Sequence, residues 1–400
     1  MTNPVSNVNK SSFTNTRVGN LFTTIAPLMR FIEQSAWVKR KTEPEICDFL
    51  FGNPQEIPLP EFVEALNRSA VPQNINWYAY KDSEASSEAI VAESLRQELQ
   101  LPFEDSDILM TNGAFAGLAV TLGAVVEPGD EVIFISPPWF FYEGKILNIG
   151  ATPVRVKINP DTFDLDLEAI AAAITDKTRA IIINTPHNPT GKIYPPETLK
   201  ALAKILQDAS DRNGREIYLI SDEAYRKIIY DGRSFYSPAA FYDNTFVVYT
   251  YGKILLTPGQ RIGYIALGPN MPNREEMRTA IITLQYFTGY AFPNALLQHS
   301  LAELDPLSID LKKLQAKRDW FVKELRQIGY EVNLPESTFY LMVKSPIPDD
   351  EAFIEVLAKY NVFCLPGTIV ELPGYFRISL TANEDMMERS LPGFQKAIEG

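Results

Sequence analysis

Residues 179–191 read RAIIINTPHNPTG and contain the pattern on which the fold prediction rests. An apolar, β-rich run ends at Asn184, and a polar segment with proline and glycine follows it at once. Apolar strands that alternate with helices predict an α/β fold with a mostly parallel sheet covered on both faces. Further β-rich runs lie at 131–135, 152–156, 216–220, 245–250 and 262–267, and helical patterns lie between several of them at 115–126, 165–174 and 196–209.

The pattern changes after about residue 272. Long helical patterns at 307–328, 349–359 and 384–398 flank short strands at 340–344 and 375–380. This order predicts a second, smaller α+β unit toward the C-terminus.

The composition of the 400-residue chain narrows the class of function. Its 37 Lys and Arg against 50 Asp and Glu give a net charge of −13, and an acidic surface repels nucleic acid and anionic lipid. Two cysteines and two histidines are too few for a disulfide framework or a metal cluster, so we predict no metal. The N-terminus lacks a signal-peptide pattern, and no stretch approaches the roughly 18 apolar residues of a membrane-spanning helix. We therefore expect a soluble cytoplasmic protein, with neither nucleic acid nor a membrane as its partner.

Polar side chains follow three of the predicted strands. Parallel open sheets bind ligands at the carboxyl ends of their strands, so we expect these side chains to converge in one crevice. They are Asn188 after one strand, Asp222 and Tyr225 after the next along the chain, and Lys253 and Arg261 after the third.

Three motifs carry a family resemblance: NTPHNPTG at 184–191, SDEAY at 221–225 and GKILLTPGQRIGY at 252–264. In this order they resemble the motifs of fold-type I pyridoxal-phosphate enzymes, the class I/II aminotransferases, over a span from about Phe51 to Arg377. The resemblance implies a large domain with a mostly parallel seven-stranded sheet between helices, and a smaller α+β domain. It also implies a homodimer with shared active sites, an amino-acid substrate and pyridoxal 5′-phosphate as cofactor.

The resemblance also implies how the chain divides into domains. Residues 1–50 would form an N-terminal arm and part of the small domain, and residues 51–285 the large cofactor-binding domain. Residues 286–400 would form the C-terminal small domain.

By the same resemblance, five residues act on the cofactor ring and its phosphate. Lys253 forms a Schiff base with the cofactor and later moves the substrate proton. Arg261 offers a bidentate charge to the phosphate, and Asp222 keeps the pyridine nitrogen protonated. Asn188 and Tyr225 donate hydrogen bonds to the phenolate oxygen of the ring. Catalysis is thus assigned to Lys253, Asp222 and Tyr225.

Further cofactor contacts are implied on a helix start, a loop and a strand end. Gly113 opens a helix, so the N–H groups of Ala114 and Phe115 can face the phosphate at the positive helix end. Trp139, in SPPWFFY, matches the aromatic residue that stacks on the ring. Thr250, three residues before the lysine, matches a hydroxyl that contacts the phosphate.

The resemblance supplies the substrate contacts and one contact between subunits. Arg377 matches the arginine that binds the α-carboxylate through two parallel hydrogen bonds. Tyr80 resembles the tyrosine that reaches the phosphate of the neighbouring subunit, with Tyr78 as the competing candidate. The implied substrate-binding residues are Arg377, Gly52, Asn53 and Asn188.

One departure from the family concerns the substrate. Members that are specific for dicarboxylates use a second arginine after the lysine segment, but no arginine occurs between Arg278 and Arg318. The side chain of aspartate or glutamate therefore lacks its expected partner. Phe287, Tyr290 and Phe292 lie in that stretch and would suit an apolar, aromatic or extended substrate.

These observations predict an aminotransferase that moves the amino group of an α-amino acid, not a dicarboxylate, to a 2-oxo acid. An alternative is a β- or γ-elimination, replacement or cyclase enzyme acting on a hydroxylated amino acid such as hydroxyarginine. The missing arginine motivates it, as does Gly252, which stands where many members carry serine. A remote alternative is a non-catalytic sensor with the same fold.

Overall fold

The computed structural model describes residues 15–399. Its helices are α1 Thr16–Gln34, α2 Ala36–Arg40, α3 Pro60–Ser69, α4 Ala85–Leu99, α5 Ala114–Val125, α6 Tyr142–Asn148, α7 Leu167–Ala173, α8 Pro196–Asn213, α9 Arg274–Thr288, α10 Ala295–His299, α11 Leu301–Leu304, α12 Leu311–Ile328, α13 Asp350–Lys359 and α14 Glu384–Glu399. Its strands are β1 Cys47–Asp48, β2 Ile108–Thr111, β3 Glu131–Ser136, β4 Thr152–Lys157, β5 Thr178–Asn184, β6 Tyr218–Asp222, β7 Thr245–Thr250, β8 Gly263–Leu267, β9 Tyr340–Lys344, β10 Val362–Phe363, β11 Leu365–Pro366 and β12 Tyr375–Ser379.

Strands β2 to β8 form one seven-stranded sheet in the order β2-β8-β7-β6-β5-β3-β4. The five strands β4, β3, β5, β6 and β7 are neighbours in this order and run parallel. Strand β8 is antiparallel to both β7 and β2. The predicted α/β fold with a mostly parallel sheet is therefore confirmed. Because β5, β6 and β7 lie side by side, the segments that follow them leave the sheet at one edge.

Strand β5 illustrates why the sheet is covered on both faces. Ala180 and Ile182 pack in a core with residues of α5, whereas Ile181 and Ile183 pack in a separate core with residues of α8. All four side chains are fully buried. Successive side chains of a strand point to opposite faces, so an unbroken apolar run requires apolar cover on both.

The predicted α+β unit has a sheet of its own. Strands β9, β11 and β12 form an antiparallel sheet in the order β11-β12-β9, and β1 pairs in parallel with β10. Helices α12, α13 and α14 pack around this part of the chain. The pairing of β1 with β10 ties the N-terminal segment to the C-terminal unit. The domain bounds inferred from the sequence remain predictions.

The structure corrects one helix boundary. The helical pattern that starts at 307 begins as α12 only at Leu311, because the side chain of Asp310 caps the helix by accepting a hydrogen bond from the N–H of Lys313. The first fourteen residues of the predicted N-terminal arm lie outside the described residues. No helix among residues 15–399 is both long and apolar enough to cross a membrane.

Candidate active site

The segments that follow β5, β6 and β7 surround a cavity of about 180 Å³. Asp222 is the last residue of β6, Thr250 is the last of β7, and Lys253 lies three residues beyond it. All five polar residues that the sequence predicted to converge after the strand ends line this cavity. The cavity is lined by Ala114, Phe115, Leu118, Trp139, Asn184, Asn188, Asp222, Ala224, Tyr225, Thr250, Gly252, Lys253, Pro258 and Arg261.

Asp222 provides a buried carboxyl group. Its Oδ2 accepts a hydrogen bond of 2.7 Å from the Tyr142 hydroxyl, and its Oδ1 accepts one of 3.3 Å from the N–H of Ala224. The side-chain amide of Asn184 donates to the Asp222 carbonyl oxygen at 2.8 Å, which fixes the strand end. Burial raises the pKa of Asp222 despite these donors. The arrangement holds one carboxyl group in a fixed orientation at the cavity wall.

Gly113, Thr250 and Arg261 converge on one end of the cavity. Gly113 has φ 79° and ψ 170°, and a Cβ on it would lie 2.6 Å from Nη2 of Arg261 and 3.4 Å from Oγ1 of Thr250. Helix α5 begins at Ala114, so the N–H groups of Ala114 and Phe115 belong to a first turn that has no carbonyl partners within the helix. Burial lowers the pKa of Arg261, and no carboxylate of the described residues offsets this. A guanidinium, a hydroxyl and a helix N-terminus are the donors that a phosphate group requires.

Lys253 reaches the cavity between aromatic side chains. Its Nζ lies 5.6 Å from the ring centroid of Tyr225 and 5.9 Å from that of Phe339. Tyr225 is itself buried, with its ring centroid 5.4 Å from that of Phe339. The amine therefore faces the cavity from a wall that is largely apolar.

Two further aromatic residues, Phe115 and Trp139, line the cavity. The rings of Trp139 and Phe115 meet edge to face with centroids 5.2 Å apart. Behind Phe115, Nζ of Lys145 donates to the Phe115 carbonyl oxygen at 2.9 Å and lies 3.6 Å from the ring centroid. Burial lowers the pKa of Lys145 to about 8. Lys145 and Trp139 thus both contact the Phe115 ring.

Arg377 enters the site from β12 of the smaller sheet and is 2% exposed. Its Nη1 donates to Oδ1 of Asn188 at 3.3 Å, and its Nη2 donates to the carbonyl oxygen of Leu50 at 3.0 Å. Its Nε is buried and has no partner among the described residues. A buried guanidinium with a free donor fits the carboxylate of a ligand.

Six of the sequence-predicted site residues lie outside the cavity lining. Two of them, Gly113 and Arg377, adjoin lining residues, namely Arg261 and Asn188. Gly52 is packed against the hydroxyl of Tyr340, and Asn53 is exposed. Tyr80 is 86% exposed, and Tyr78 donates its hydroxyl hydrogen to the carbonyl oxygen of Ala70. Within a single chain, neither tyrosine contributes to the cavity.

Sequence reasoning missed several residues of the site. Tyr142 lies only three residues after Trp139. Its contact with Asp222 depends on the direction in which α6 starts, which the sequence pattern does not show. Asn184 is the last residue of β5, and no local pattern shows that its side chain bonds to the end of β6. Tyr340 had no signal, because it looks like any apolar strand residue until the fold places it beside Arg377.

Comparisons with known proteins agree on one family. The sequence profile of the family described as aminotransferase class I and II matches residues 46–391. A probable aspartate/prephenate aminotransferase of Thermus aquaticus is 30% identical over 371 residues, which cover 90% of this chain and 93% of that protein. An aminotransferase structure from Eubacterium rectale has a TM-score of 0.85 at 28% identity and covers 97% of this chain and 96% of that one. An aspartate aminotransferase structure from Thermus thermophilus with maleate has a TM-score of 0.82 at 25% identity, covering 97% and 100%.

The chain belongs to the aminotransferase class I and II family of fold-type I enzymes. It is a transferase that uses pyridoxal 5′-phosphate to move amino groups. The chemistry of the described residues fits this cofactor, since the site offers an anion cradle at Gly113, a buried carboxyl group at Asp222 and an amine at Lys253.

Proposed function

We propose that this aminotransferase acts on an α-amino acid with an apolar or aromatic side chain, and not on a dicarboxylic amino acid. The observation that carries the proposal is the cavity lining, in which Lys253 and Arg261 are the basic side chains among the described residues. Both are assigned to the cofactor below. A second carboxylate would therefore be buried without a cation, which is strongly unfavourable. The side chains of Phe115 and Leu118, which have no proposed role toward the cofactor, offer apolar surface instead.

Pyridoxal 5′-phosphate, when bound, supplies the electron sink that makes the Cα proton of an amino acid acidic. In the proposed site Lys253 binds the cofactor covalently, and its Nζ takes and returns that proton. Asp222 keeps the ring nitrogen protonated, supported by the hydrogen bond from Tyr142. Since Oδ1 of Asn188 is engaged by Arg377, its amide N–H₂ remains to donate to the ring oxygen, together with Tyr225. The proposed phosphate ligands are Gly113, Ala114, Phe115, Thr250 and Arg261, with Trp139 stacked on the ring.

Arg377 is the proposed ligand of the substrate α-carboxylate. Its two engaged nitrogens fix the plane of the guanidinium, and the unpartnered Nε supports a ligand on that side. A bidentate contact would orient the Cα–H bond relative to Lys253. Gly52 and Asn53 are proposed to close over the substrate from the segment that follows Leu50.

A panel of amino donors tests the substrate class. Phenylalanine, tyrosine, leucine, alanine, aspartate and glutamate are each offered with a common 2-oxo acid, and kcat/KM is measured with product identification by mass spectrometry. We expect the aromatic and larger apolar donors to exceed aspartate and glutamate by at least about tenfold. A higher kcat/KM for aspartate would overturn the proposal.

The relatives supply the competing candidate, because their names describe aspartate and prephenate as substrates. Lys145 is the described cation that favours this candidate, since its Nζ lies 3.6 Å from the ring centroid of Phe115, a residue of the cavity lining. A Lys145→Met variant distinguishes the two. It should leave activity on phenylalanine within about threefold, whereas a large selective loss with aspartate would identify Lys145 as a carboxylate ligand.

Elimination or cyclisation is the less favoured chemistry. Gly252 is one of the two sequence features that favour this chemistry. A Cβ at this position, however, would lie 2.9 Å from Cα of Pro258. The absence of a side chain therefore has a packing reason and needs no separate chemistry. Mass spectrometry of the donor panel tests this directly, because an unsaturated or cyclic product without a 2-oxo acid would support elimination or cyclisation.

We further propose a homodimer with shared active sites. The family typically forms dimers, and the ring of the exposed Tyr80 lies 4.8 Å from that of Phe292, which is 42% exposed. Phe287, five residues earlier in the chain, is 86% exposed. Exposed aromatic side chains that contact each other are typical of a surface that another protein covers. Mixing inactive Tyr80→Ala and Lys253→Ala proteins should restore activity, because a mixed dimer contains one intact site. No recovery after subunit exchange would contradict the shared site.

The cytoplasmic location also remains a proposal. It is supported by Cys47 and Cys364, which are both buried free thiols in the described part of the chain. Fractionation of the source cells with an activity assay tests it.

A further inference from the structure

Tyr340 lies beside the substrate site although nothing in the sequence pointed to it. It begins β9, and β9 pairs with β12 so that Met342 is opposite Arg377. Tyr340 is two residues from Met342 and is therefore a diagonal neighbour of Arg377 on the same face of the sheet. Cζ of Arg377 lies 4.1 Å from the Tyr340 ring centroid, and Tyr340 is 4% exposed. The guanidinium is thus stacked on a buried aromatic face.

The hydroxyl end of Tyr340 reaches a different part of the site. It lies against Cα of Gly52, where any Cβ would collide with the hydroxyl oxygen and with the ring of Phe339. The ring centroid of Tyr340 is 6.1 Å from that of Tyr225, and the two hydroxyl groups interact. The hydroxyl of Tyr340 therefore touches both the Gly52 segment and a proposed cofactor ligand.

The charges around Tyr340 are consistent with this position. Burial raises the pKa of its hydroxyl, but the cations Arg377 and Lys253 outweigh burial and lower it overall. Burial raises the pKa of Tyr225 well above its ordinary value, so the Tyr225 hydroxyl keeps its proton. A hydroxyl between two cations and a tyrosine is suited to accept hydrogen bonds.

We propose that Tyr340 is a positioning residue with two separable tasks in the aminotransferase reaction. Its ring holds the Arg377 guanidinium in the plane that the substrate carboxylate requires. Its hydroxyl holds Tyr225 and the Gly52 segment in place around the reacting groups. The proposal rests on the proposed role of Arg377 as carboxylate ligand, and the experiment separates the failure of one from that of the other.

Two substitutions divide the tasks. Tyr340→Phe keeps the ring and removes the hydroxyl, whereas Tyr340→Leu removes the ring as well. Steady-state kinetics use the best donor of the panel. Titration calorimetry of the holoenzyme measures the Kd of two non-reacting carboxylates. One, 3-phenylpropanoate, resembles an aromatic substrate, and the other, succinate, resembles a dicarboxylic one. Thermal melts and cofactor stoichiometry confirm that each variant is folded and loaded.

The two variants should respond differently. Tyr340→Leu should raise the Kd of the better-binding carboxylate, and KM, about tenfold, because a desolvated cation–π contact and its orientation are lost. Tyr340→Phe should leave that Kd within about twofold of wild type and lower kcat about five- to tenfold, the loss of one hydrogen bond at the site. A purely structural residue would lower Tm in both variants with no such division. An unchanged Kd in Tyr340→Leu overturns the first task, and an unchanged kcat in Tyr340→Phe overturns the second.

Gly52→Ala provides an independent measure if Tyr340→Leu does not fold. Its methyl group should displace the Tyr340 hydroxyl and lower kcat as Tyr340→Phe does. The double variant Gly52→Ala/Tyr340→Phe should then have a kcat no lower than that of the more impaired single variant, since both changes affect one contact. Fully additive losses would contradict the contact between hydroxyl and segment.

Arg377→Lys serves as the reference for the underlying role. If it binds both carboxylates as tightly as wild type, the proposed role of Arg377 fails and the first task of Tyr340 fails with it. If Arg377→Lys loses carboxylate binding while Tyr340→Leu retains it, the role of Arg377 stands and only the inference about Tyr340 is overturned.

Discussion

Nη1 of Arg377 lies 3.3 Å from Oδ1 of Asn188, so one hydrogen bond inside the site joins the three-stranded sheet to the segment that leaves the seven-stranded sheet. Arg377 belongs to β12, and Asn188 follows β5. The two residues are 189 positions apart in the chain, so only the packing of the two units can bring them together. The substrate site therefore depends on that packing as much as on either unit.

Replacing Arg377 by lysine should remove the bidentate geometry and keep the charge. We expect kcat/KM for the best donor to fall about a hundredfold or more, because each hydrogen bond to a charged group is worth about 1.5–3 kcal/mol. Most of the loss should appear in KM. Steady-state kinetics measure the effect, and unchanged cofactor stoichiometry is the control. A kcat/KM within threefold of wild type would remove Arg377 from the carboxylate site.

Replacing Gly113 by alanine should weaken phosphate binding. The added Cβ would lie 2.6 Å from Nη2 of Arg261 and would displace the guanidinium from the cradle. The apo protein should bind pyridoxal 5′-phosphate about ten- to a hundredfold more weakly, as expected when a charge-assisted hydrogen bond is lost. Inorganic phosphate, measured by competition, should show the same trend.

Gly214→Ala is the matched control for Gly113→Ala. Gly214 also has a positive φ, 62°, but no atom of the described residues lies within 4 Å of its added Cβ. It should lose stability of about 1–2 kcal/mol from backbone strain alone and keep wild-type affinity for phosphate. Equal affinity losses in both variants would mean that strain, and not the cradle, causes the effect.

Much of the large sheet could be predicted from sequence because its signals are local. The apolar run at 179–184 and the polar residues after it report burial and strand direction within a few residues, and parallel neighbours bring Asn188, Asp222 and Lys253 together. Tyr340 and Arg377 meet through antiparallel pairing in another sheet, and no local pattern encodes that register. The contact of Tyr142 with Asp222 could be predicted only from the direction in which α6 starts. Such contacts depend on tertiary packing, which periodicity does not describe.

Gly252 should not tolerate the serine that stands at this position in many family members. A Cβ there would lie 2.9 Å from Cα of Pro258, and its three nearest contacts, in Pro258 and Thr257, are all with backbone atoms that cannot rotate away. Gly252→Ser should therefore lose about 1–3 kcal/mol of stability through overpacking and lower kcat by shifting Lys253. Thermal melts and kinetics measure the two effects.

Gly259→Ser is the control for Gly252→Ser, because it changes the same loop at a position with no described atom within 4 Å. It should melt and turn over like wild type. A Gly252→Ser protein with normal stability and new elimination activity would instead revive the idea that this position selects the reaction.

Glu223, the neighbour of Asp222, should make stability depend on pH near neutrality. It is fully buried and accepts hydrogen bonds from Ser221 and Ser237, and burial raises its pKa to about 7. The folded protein therefore binds a proton that the unfolded chain releases near pH 4.5. The stabilising contribution is complete below that pH and is lost as pH rises to about 7.

A Glu223→Gln variant cannot titrate at this position, so the free energy of unfolding of the variant relative to wild type should rise by up to about 3 kcal/mol between pH 5 and 8. Urea unfolding at several pH values measures the difference. Glu98→Gln is the control. Burial raises the pKa of Glu98, but Arg226 and Lys227 outweigh burial and lower it overall, so Glu98 stays ionised across this range. The difference in the free energy of unfolding between Glu98→Gln and wild type should not change with pH. If the free energies of wild type and Glu223→Gln instead change with pH in parallel, Glu223 is ionised throughout this range and the prediction is wrong.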